Sequence, residues 1–433
     1  MGVKDTANLA LIPAAYKTSK VYSALPTDGD GDFTFTRSGS GTRINKAGLI
    51  ETMATNVPRL NYRLDADGNV SSCPELLLEP TRRNLFLNSE DFTNGSWIKT
   101  RTTITGNQTT APDGTNNADL LTGTGTGTSY IYDGVFLYNA TYYISIFVKN
   151  INGNDFTIQN FTQSGTAVFD LVNKSVTSTS GTISDAKIEQ YQNNWFRVSA
   201  KITSTLGGAN ANLGFGVKDY NGEQFYIWGA QVEDDALGGS VSYTSSYIPT
   251  TTAAVTRNKD EAIRLSTDAT PTAYPFTVMV QMRIETGKKG FGFSLLNRYA
   301  NYLYFTAAYC EISANNRFRF SNRNNGNTYS VQPLAEYFEG THKIAIKFVS
   351  ETNFKAYING IEVANLTHTA SAFDTNNNTI LLGQLRTVTD TNDRNPIKEF
   401  FVWHKALTDA EMIEVTSYTS FTEMATQQQY TIQ

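Results

Sequence analysis

Cysteine and histidine are scarce in this 433-residue chain, which contains two cysteines and three histidines. Cys73 and Cys310 lie far apart, which excludes a disulfide framework and a structural zinc site and predicts free thiols in a reducing compartment. His342, His368 and His404 have no cysteine or second histidine at the spacing of metal ligands. We therefore expect the histidines to be side chains at the solvent edge, with no metal centre or catalytic role.

Charge and long apolar runs are also limited. Charged residues make up 17% of the chain, the net charge is −5, and the deficit lies in residues 91–255, which hold eight basic and thirteen acidic side chains. No basic stripe is present to neutralise phosphates, so nucleic-acid binding is not expected. No run approaches the ~20 apolar residues of a membrane span, and the first twenty residues lack the pattern of a signal peptide. These absences predict neither membrane insertion nor secretion.

Apolar and aromatic residues are plentiful, at 40% and 12% of the chain, with 23 Tyr and 25 Phe. The polar surface must come from Thr, Ser, Asn and Gly, which favour strands and turns over helices. A chain of this length exceeds one ordinary hydrophobic core, so two or three domains are expected. The composition therefore predicts an all-β, multi-domain protein.

Turn signals and alternating residues divide the chain into four segments. Residues 1–84 are predicted to be an N-terminal extended β-ribbon region for virion attachment and oligomerisation, a role taken from the resemblance described below. Residues 85–256 and 257–418 are predicted to be two antiparallel, jelly-roll-like β-sandwich domains, and residues 419–433 a C-terminal tail.

The N-terminal region contains short alternating runs joined by tight turns. Phe33 and Phe35 alternate with threonines, and turns follow at residues 38–41, 45–48 and 65–70. Such thin ribbons bury little apolar surface by themselves and need a partner. We therefore expect this region to pack on other copies of the chain, in a homo-oligomer that is most simply a trimer.

The first predicted sandwich contains three diagnostic runs. Residues 142–149 are apolar on both faces, as in a central strand, whereas residues 195–202 place Phe196 on a core face and Arg197 on a solvent face. In residues 225–233, Tyr226, Trp228, Ala230 and Val232 are expected to share one face. Trp228, like Trp403 in the second sandwich, is predicted to be core, and Trp195 to cap the polar face.

The second predicted sandwich has clear local signals. Residues 276–284 present one apolar face of a long strand. Asn359-Gly360 between alternating runs is typical of a two-residue hairpin, because a type I′ turn needs two positive φ angles. Thr408 and Glu411 have the spacing of a capping box, which predicts that the one clear helix begins at Thr408.

Three stretches resemble a family of bacteriophage virion proteins. The first is LALIPAAYKTSKVYSALPTDGDGDFTFTRSGSGTRINKAGLIE, followed by VPRLNYRLDADG. The second begins at CPELLLEPTRRNLFLNSEDF, closes with FYIWGAQVE and SSYIPTTTAAVTR, and resembles a carbohydrate-binding jelly roll. The third, KAYINGIEVA to IKEFFVWHKALTDAE, resembles a laminin-G or concanavalin-like sandwich and specifies only a fold.

The resemblance implies a structural surface protein of a virion: a head fibre, head decoration or tail fibre subunit made in the host bacterial cytoplasm. Its expected partners are copies of itself, other virion proteins through the N-terminal region, and host or mucosal glycans. No cofactor is implied, although sandwiches of this resemblance often carry a structural calcium ion.

Paired carboxylates are the feature that a glycan depolymerase would need. Glu75 and Glu79 flank an apolar run, so capping or salt bridging is the favoured interpretation for them. The run of residues 233–235 either ends a strand or lends oxygens to calcium. Neither cluster indicates an active site, and the sequence contains no GxSxG motif. No enzyme activity is therefore expected.

Glycan binding is the one binding hypothesis that the residues support. Asn297, Arg298, Tyr299 and Tyr302 combine rings and amides at a predicted junction of loop and strand, which suits a sugar. Exposed tyrosines of this kind also occur at oligomer interfaces. Two alternatives to a virion protein stay open: a depolymerase tailspike, which needs a carboxylate pair, and a prophage or bacterial adhesin, which needs a secretion signal.

Overall fold

The computed structural model describes residues 2–125, 127–218, 222–265, 270–284, 290–296, 307–312, 317–324, 327–333, 335–337, 339–369, 379–383 and 396–418. In these residues the chain forms antiparallel sheets and one short α-helix, so the predicted all-β sandwich fold is confirmed. No helix within the described ranges is long and apolar enough to cross a bilayer.

The strands fall into three groups along the chain. The N-terminal group is β1 Leu9–Leu11, β2 Tyr16–Lys17, β3 Lys20–Val21, β4 Phe33–Thr36, β5 Gly41–Ile44, β6 Ile50–Met53, β7 Leu60–Asn61, β8 Glu75–Leu76 and β9 Arg82–Asn84. The middle group is β10 Ile98–Thr100, β11 Thr102–Thr109, β12 Ala118–Gly123, β13 Ser129–Leu137, β14 Thr141–Asn150, β15 Asp155–Asn160, β16 Gly165–Asp170, β17 Ser175–Ser180, β18 Ile183–Gln190, β19 Phe196–Thr203, β20 Ala209–Val217, β21 Gln224–Asp234 and β22 Val255–Arg257.

The C-terminal group closes with the helix. Its members are β23 Glu261–Leu265, β24 Phe276–Ile284, β25 Gly290–Leu296, β26 Ala307–Ile312, β27 Phe318–Asn324, β28 Asn327–Val331, β29 Gly340–Ser350, β30 Asn353–Ile358, β31 Ile361–Thr367, β32 Thr379–Leu382, β33 Ile397–Trp403 and α1 Asp409–Thr416. Short 3₁₀ turns lie at Val3–Thr6 and Gln192–Asn194.

The first sandwich consists of two sheets. A six-stranded sheet has the order β10-β13-β20-β15-β16-β17, and its partner has the order β11-β12-β21-β14-β19-β18, with β9 and β22 at its end. The core between them is apolar throughout, with Ile131, Ile144 and Phe215 fully buried. As predicted, β14 is a central strand that is buried on both faces.

The second sandwich takes strands from both ends of the chain. One sheet has the order β31-β30-β29-β24-β33-β8-β7, and β1 also pairs with β33. The other has the order β2-β3-β4-β23-β32-β25-β26-β27-β28. The first sandwich is therefore inserted between the N-terminal and C-terminal strands of the second.

This arrangement corrects one expectation about residues 1–84. Phe33 and Phe35 are fully buried in the core of the second sandwich. The Phe33 ring packs edge to face on the Phe400 ring, with centroids 6.1 Å apart. The expectation that these apolar side chains need another copy of the chain is wrong, because β23 and β33 supply their pairing and packing. The division of the chain at residues 84/85 and 256/257 stays a prediction.

The outer face of β19 differs from its predicted exposure. Arg197 and Ser199 are 4% and 3% exposed, although their positions alternate with the core residues. The segment around Tyr247 and the β6 residue Ile50 pack over this side of the sheet, where they join Trp195 in a second apolar layer. The solvent-face interpretation is wrong because period-2 alternation does not reveal what covers the second face.

Strand β21 also departs from the expected shared face. Tyr226 and Trp228 lie with the outer apolar layer, whereas Ala230 and Val232 point into the core. Gly229 has φ 66°, and the pairing of β21 with β14 shifts register beside it. A bulge of this kind exchanges the two faces of a strand.

The predictions from short-range sequence signals, a hairpin turn and a helix cap, are confirmed. Asn359 and Gly360 have φ of 51° and 85° and join β30 to β31, as the hairpin signal predicts. The Thr408 side chain accepts a hydrogen bond from the Glu411 amide, and the Glu411 carboxylate accepts one from the Thr408 amide, so the capping box is confirmed.

Four aromatic or imidazole side chains with a predicted exposure are buried in the structure. Trp228 and Trp403 are buried, as predicted, and Trp195 is buried as well, donating through Nε1 to the Thr110 carbonyl. His342 is 1% exposed and bonds through Nδ1 with Asn359, so its predicted place at the solvent edge is wrong.

Candidate functional site

The outer face of the six-stranded sheet carries a line of aromatic rings. Tyr130, Tyr132 and Phe136 alternate along β13, Tyr138 follows directly after it, and Phe161 follows β15. We call these five residues the aromatic strip. Residues 130 to 138 span about 26 Å at the usual rise of a strand.

The strip is a consequence of strand alternation. Ile131, Val135 and Leu137 occupy the other face of β13 and are buried in the core. The rings consequently point away from the core, and all five aromatic residues are partly or largely exposed.

Two glycines lie beside Tyr130 and Tyr132 on the neighbouring strand. Gly214 and Gly216 of β20 pair with Tyr132 and Tyr130, and a Cβ on either glycine would lie 2.7 Å and 2.9 Å from the respective tyrosine Cβ. The absence of side chains there lets rings approach the backbone. The Tyr130 and Phe161 centroids are 4.4 Å apart, and those of Tyr132 and Phe161 are 5.6 Å apart.

The far end of the strip is more exposed. Phe136 and Tyr138 are 51% and 48% exposed, with ring centroids 5.4 Å apart in an edge-to-face pair. The Tyr138 ring lies close to Gly208 and Gly238, where an added Cβ would be 3.2 Å and 2.7 Å from ring carbons. About half of the surface of each of these two residues is therefore accessible from solvent.

Amide and hydroxyl groups flank the rings. Thr157 and Gln159 of β15 pair with Gly216 and Gly214; Thr157 is buried, and the partly exposed Gln159 donates through Nε2 to Thr157 Oγ1 at 2.9 Å. The exposed Asn212 lies opposite Gly134, in the gap between the two pairs of rings of β13. A flat apolar surface with hydrogen-bonding groups at its border suits a ligand that has an apolar face and a polar rim.

The residues predicted to bind glycan cannot be compared with this surface. Asn297, Arg298, Tyr299 and Tyr302 lie outside the described residues. The sequence analysis overlooked the aromatic strip, although its signal is visible as the alternation of Tyr130, Tyr132, Phe136 and Tyr138 with core residues.

Glu79, one of the carboxylates considered for catalysis, lies in a buried network, whereas Glu75 is buried and its Oε1 has no hydrogen-bond partner among the described residues. Glu79 and Asp260 are fully buried and both accept from the Arg59 guanidinium, with Arg59 Nη1 at 2.8 Å from Glu79 Oε2. Arg37 Nη1 reaches Asp260 Oδ1 at 3.0 Å, and Arg257 lies 3.6 Å from Glu79. The network joins residues before the first sandwich to residues 257–260, which follow it. Because Glu79 forms ion pairs in this network, its salt-bridge interpretation is confirmed.

The other acidic run closes a strand. Glu233 and Asp234 are the last residues of β21, as one of the two sequence interpretations held. Burial raises the pKa of Glu233, and nearby Arg197 and a hydrogen bond from Ser245 oppose that rise. Asp234 pairs bidentately with Arg83. Within the described ranges, no group of three or more His, Cys, Asp or Glu side chains is arranged to hold a metal ion.

The fold defines the class of this protein as an antiparallel β-sandwich protein. Residues 256–412 match the family described as the concanavalin A-like lectin/glucanases superfamily. No curated protein matches the chain significantly. The family match covers the C-terminal strands of the second sandwich and leaves out the N-terminal strands that complete its sheets.

Several solved structures are similar over about a third of the chain. The sialidase carbohydrate-binding module CBM40 of Ruminococcus gnavus is 19% identical, with 34% of this chain and 85% of that one covered and a TM-score of 0.30. A pentraxin from Limulus polyphemus is 16% identical, with 34% and 72% covered and a TM-score of 0.27. The receptor-binding domain of botulinum neurotoxin C/D mosaic serotype is 15% identical, with 36% and 40% covered and a TM-score of 0.27.

Proposed function

We propose that this protein is a structural surface protein of a bacteriophage virion that binds glycans through the aromatic strip. The resemblance of residues 8–84 and of the first sandwich to virion proteins supports the virion assignment. The lectin-type family match at residues 256–412 supports carbohydrate recognition. The observation that carries the binding function is the row of partly exposed rings on a sheet face.

The chemistry of the strip fits a sugar chain. Pyranose rings present apolar C–H faces, and burying these faces on aromatic rings removes apolar surface from water. The strip is long enough for several sugar units, with rings at both ends and Asn212 between them. Because the rings lie on a hydrogen-bonded sheet, little conformational freedom is lost when a ligand binds.

Binding at such an open surface is expected to be weak at a single site. A virion that carries many copies converts weak sites into strong attachment through effective concentration. We assign the N-terminal region a role in attachment to other virion proteins, on the strength of its resemblance. Oligomerisation, most simply as a trimer, remains part of this proposal, but it no longer depends on unburied side chains of residues 1–84.

A glycan array followed by calorimetry tests the binding function. Phe136→Ala and Tyr132→Ala should each weaken binding of a neutral oligosaccharide hit by about tenfold, as expected for losing one stacked ring of about 1.4 kcal/mol. Val172→Ala is the matched control, because Val172 is 60% exposed in the turn after β16 of the same sheet. Unchanged affinity in both ring variants would refute the assignment.

The virion assignment and its alternatives need separate measurements. Electron microscopy of phage particles labelled with antibodies against residues 257–418 should show a regular surface pattern. Reducing ends released from host capsule by the purified protein would instead favour a depolymerase. Labelling of uninfected bacterial surfaces, with none on particles, would favour an adhesin.

A further inference from the structure

A cleft of about 720 Å³ lies where the N-terminal region meets both sandwiches. Its walls come from residues 42–67, from β18 and β19 of the first sandwich, from residues 243–247, and from Arg283 and Glu339 of the second sandwich. The volume falls within the usual range of small-molecule sites. The cleft is separate from the aromatic strip, none of whose residues lines it.

Hydrogen bonds fix the walls of the cleft. Thr42 Oγ1 donates to the Tyr247 carbonyl at 2.5 Å, and Arg59 Nη1 donates to Ser246 Oγ at 2.7 Å. Next to the lining residues Asp67 and Tyr191, the Gln192 side-chain amide donates to the Gly68 carbonyl at 2.5 Å. The cleft is therefore formed before any ligand arrives, which favours binding.

Arg63 is a cation of this cleft whose guanidinium is left free to bind a ligand, although the carboxylates of Glu75, Glu339 and Asp65 lie near enough to favour its charge. Its guanidinium makes no hydrogen bond or ion pair within the part of the chain that the structure describes, whereas the neighbouring Arg283 pairs with Glu339 at 3.0 Å. Burial and the nearby Arg283 lower the pKa of Arg63 to about 10, and the nearby carboxylates only partly oppose this, so Arg63 stays protonated at neutral pH. A partly buried cation of this kind favours an anionic ligand.

Arg197 adds a second, deeper cation. It is 4% exposed, and its Nη atoms donate only to neutral oxygens, the Ser245 carbonyl at 2.7 Å and Ser145 Oγ at 3.1 Å. Its Nε has no hydrogen-bond partner among the described residues, and the same holds for two other buried atoms of the cleft wall, Thr244 Oγ1 and Gln190 Oε1. Buried polar atoms without partners are rare in native proteins and mark places where a ligand or water completes the bonding.

We propose that the cleft binds an acidic saccharide whose carboxylate is held by Arg63 and Arg197. Planar guanidinium groups match the geometry of a carboxylate, and charge-assisted hydrogen bonds are the stronger kind. The partly exposed Tyr191 lines the same cleft and offers apolar surface to a sugar ring. A phosphate group shares the oxyanion chemistry, but the cleft is much larger than an isolated phosphate ion. The proposal extends the proposed glycan binding to a second site and to charged glycans.

Calorimetry on the full chain tests the proposal with trigalacturonic acid as the probe. Its neutral methyl ester and inorganic phosphate serve as parallel ligands. We expect trigalacturonic acid to bind more tightly than its neutral ester and its affinity to fall as salt is raised. Failure of the acid to bind, equal binding of the ester, or saturable binding of phosphate that displaces the acid would each overturn the acidic-saccharide assignment.

Matched variants connect the binding to the cleft. Arg63→Gln should lower the affinity for trigalacturonic acid by about tenfold or more, because one hydrogen bond to a charged group is worth about 1.5–3 kcal/mol. Arg101→Gln removes the same charge from an exposed position of the first sandwich and should leave affinity unchanged. Equal effects of the two variants would refute the site.

The aromatic strip supplies a second control. Phe136→Ala should leave the binding of trigalacturonic acid intact while it weakens the neutral oligosaccharide. If Phe136→Ala abolished both, the acid would be bound at the strip and the cleft proposal would be overturned, with the proposed glycan-binding function left standing.

Discussion

Replacing Phe33 with alanine tests whether the N-terminal strands are an integral part of the second sandwich. Phe33 is fully buried and contacts the Phe400 ring of β33, more than 360 residues away in sequence. Truncation of a buried phenylalanine to alanine lowers the free energy of unfolding by about 3–5 kcal/mol. Because an edge-to-face pair is also lost, we expect about 4 kcal/mol here. Exchange of the most protected amides in the second sandwich should then become roughly a thousandfold faster.

Hydrogen exchange with mass spectrometry on the full chain measures this effect segment by segment. Peptides covering Phe276–Ile284 and Ile397–Trp403 report on the second sandwich, and a peptide covering Thr141–Asn150 reports on the first. Thr34→Ala is the control, because Thr34 is exposed on the same strand and should change stability by about 0.5 kcal/mol at most. Unchanged protection of Ile397–Trp403 in Phe33→Ala would refute the shared core.

Three further predictions concern the buried network and the helix. Asp260→Asn should destabilise the chain by about 3–5 kcal/mol in urea titrations, because Arg37 and Arg59 lose a buried counter-ion. Thr408→Ala should cost about 1 kcal/mol, measured by exchange of the helix amides, because the cap oxygen is lost. Hydrogen bonds from Lys347 and Tyr357 hold the pKa of Asp409 below its ordinary value, so its contribution to stability is present above about pH 4 and is lost as the pH falls further. Asp409→Asn should therefore flatten the acid limb of urea midpoints recorded from pH 5 to pH 2, and an unchanged limb would contradict this.

Short-range signals in the sequence were sufficient for local structure. The Asn359-Gly360 turn and the Thr408 cap depend on atoms within four residues of each other, so residue type and spacing predict them. The central position of β14 was also visible, because apolar residues on both faces leave few other places for a strand.

The candidate sites were only partly accessible to sequence reasoning. Tyr130 and Tyr132 alternate with Ile131 in the sequence, but alternation does not say which face of the strand stays exposed. The same alternation placed Arg197 toward solvent, where the structure covers it with Tyr247 and its neighbours. Which side chains form a site depends on what packs over each face.

The sequence by itself determined the fold class, the alternating strands and the tight turns, because these follow from interactions between near neighbours. Tertiary structure alone decided that β1 to β4, β7 and β8 complete a sandwich whose remaining strands lie beyond residue 260. It also decided that Arg63, Arg197 and Arg283 line one cleft. Backbone hydrogen bonds between strands carry almost no residue identity, so the choice of distant partners is made by the burial of whole faces in a common core.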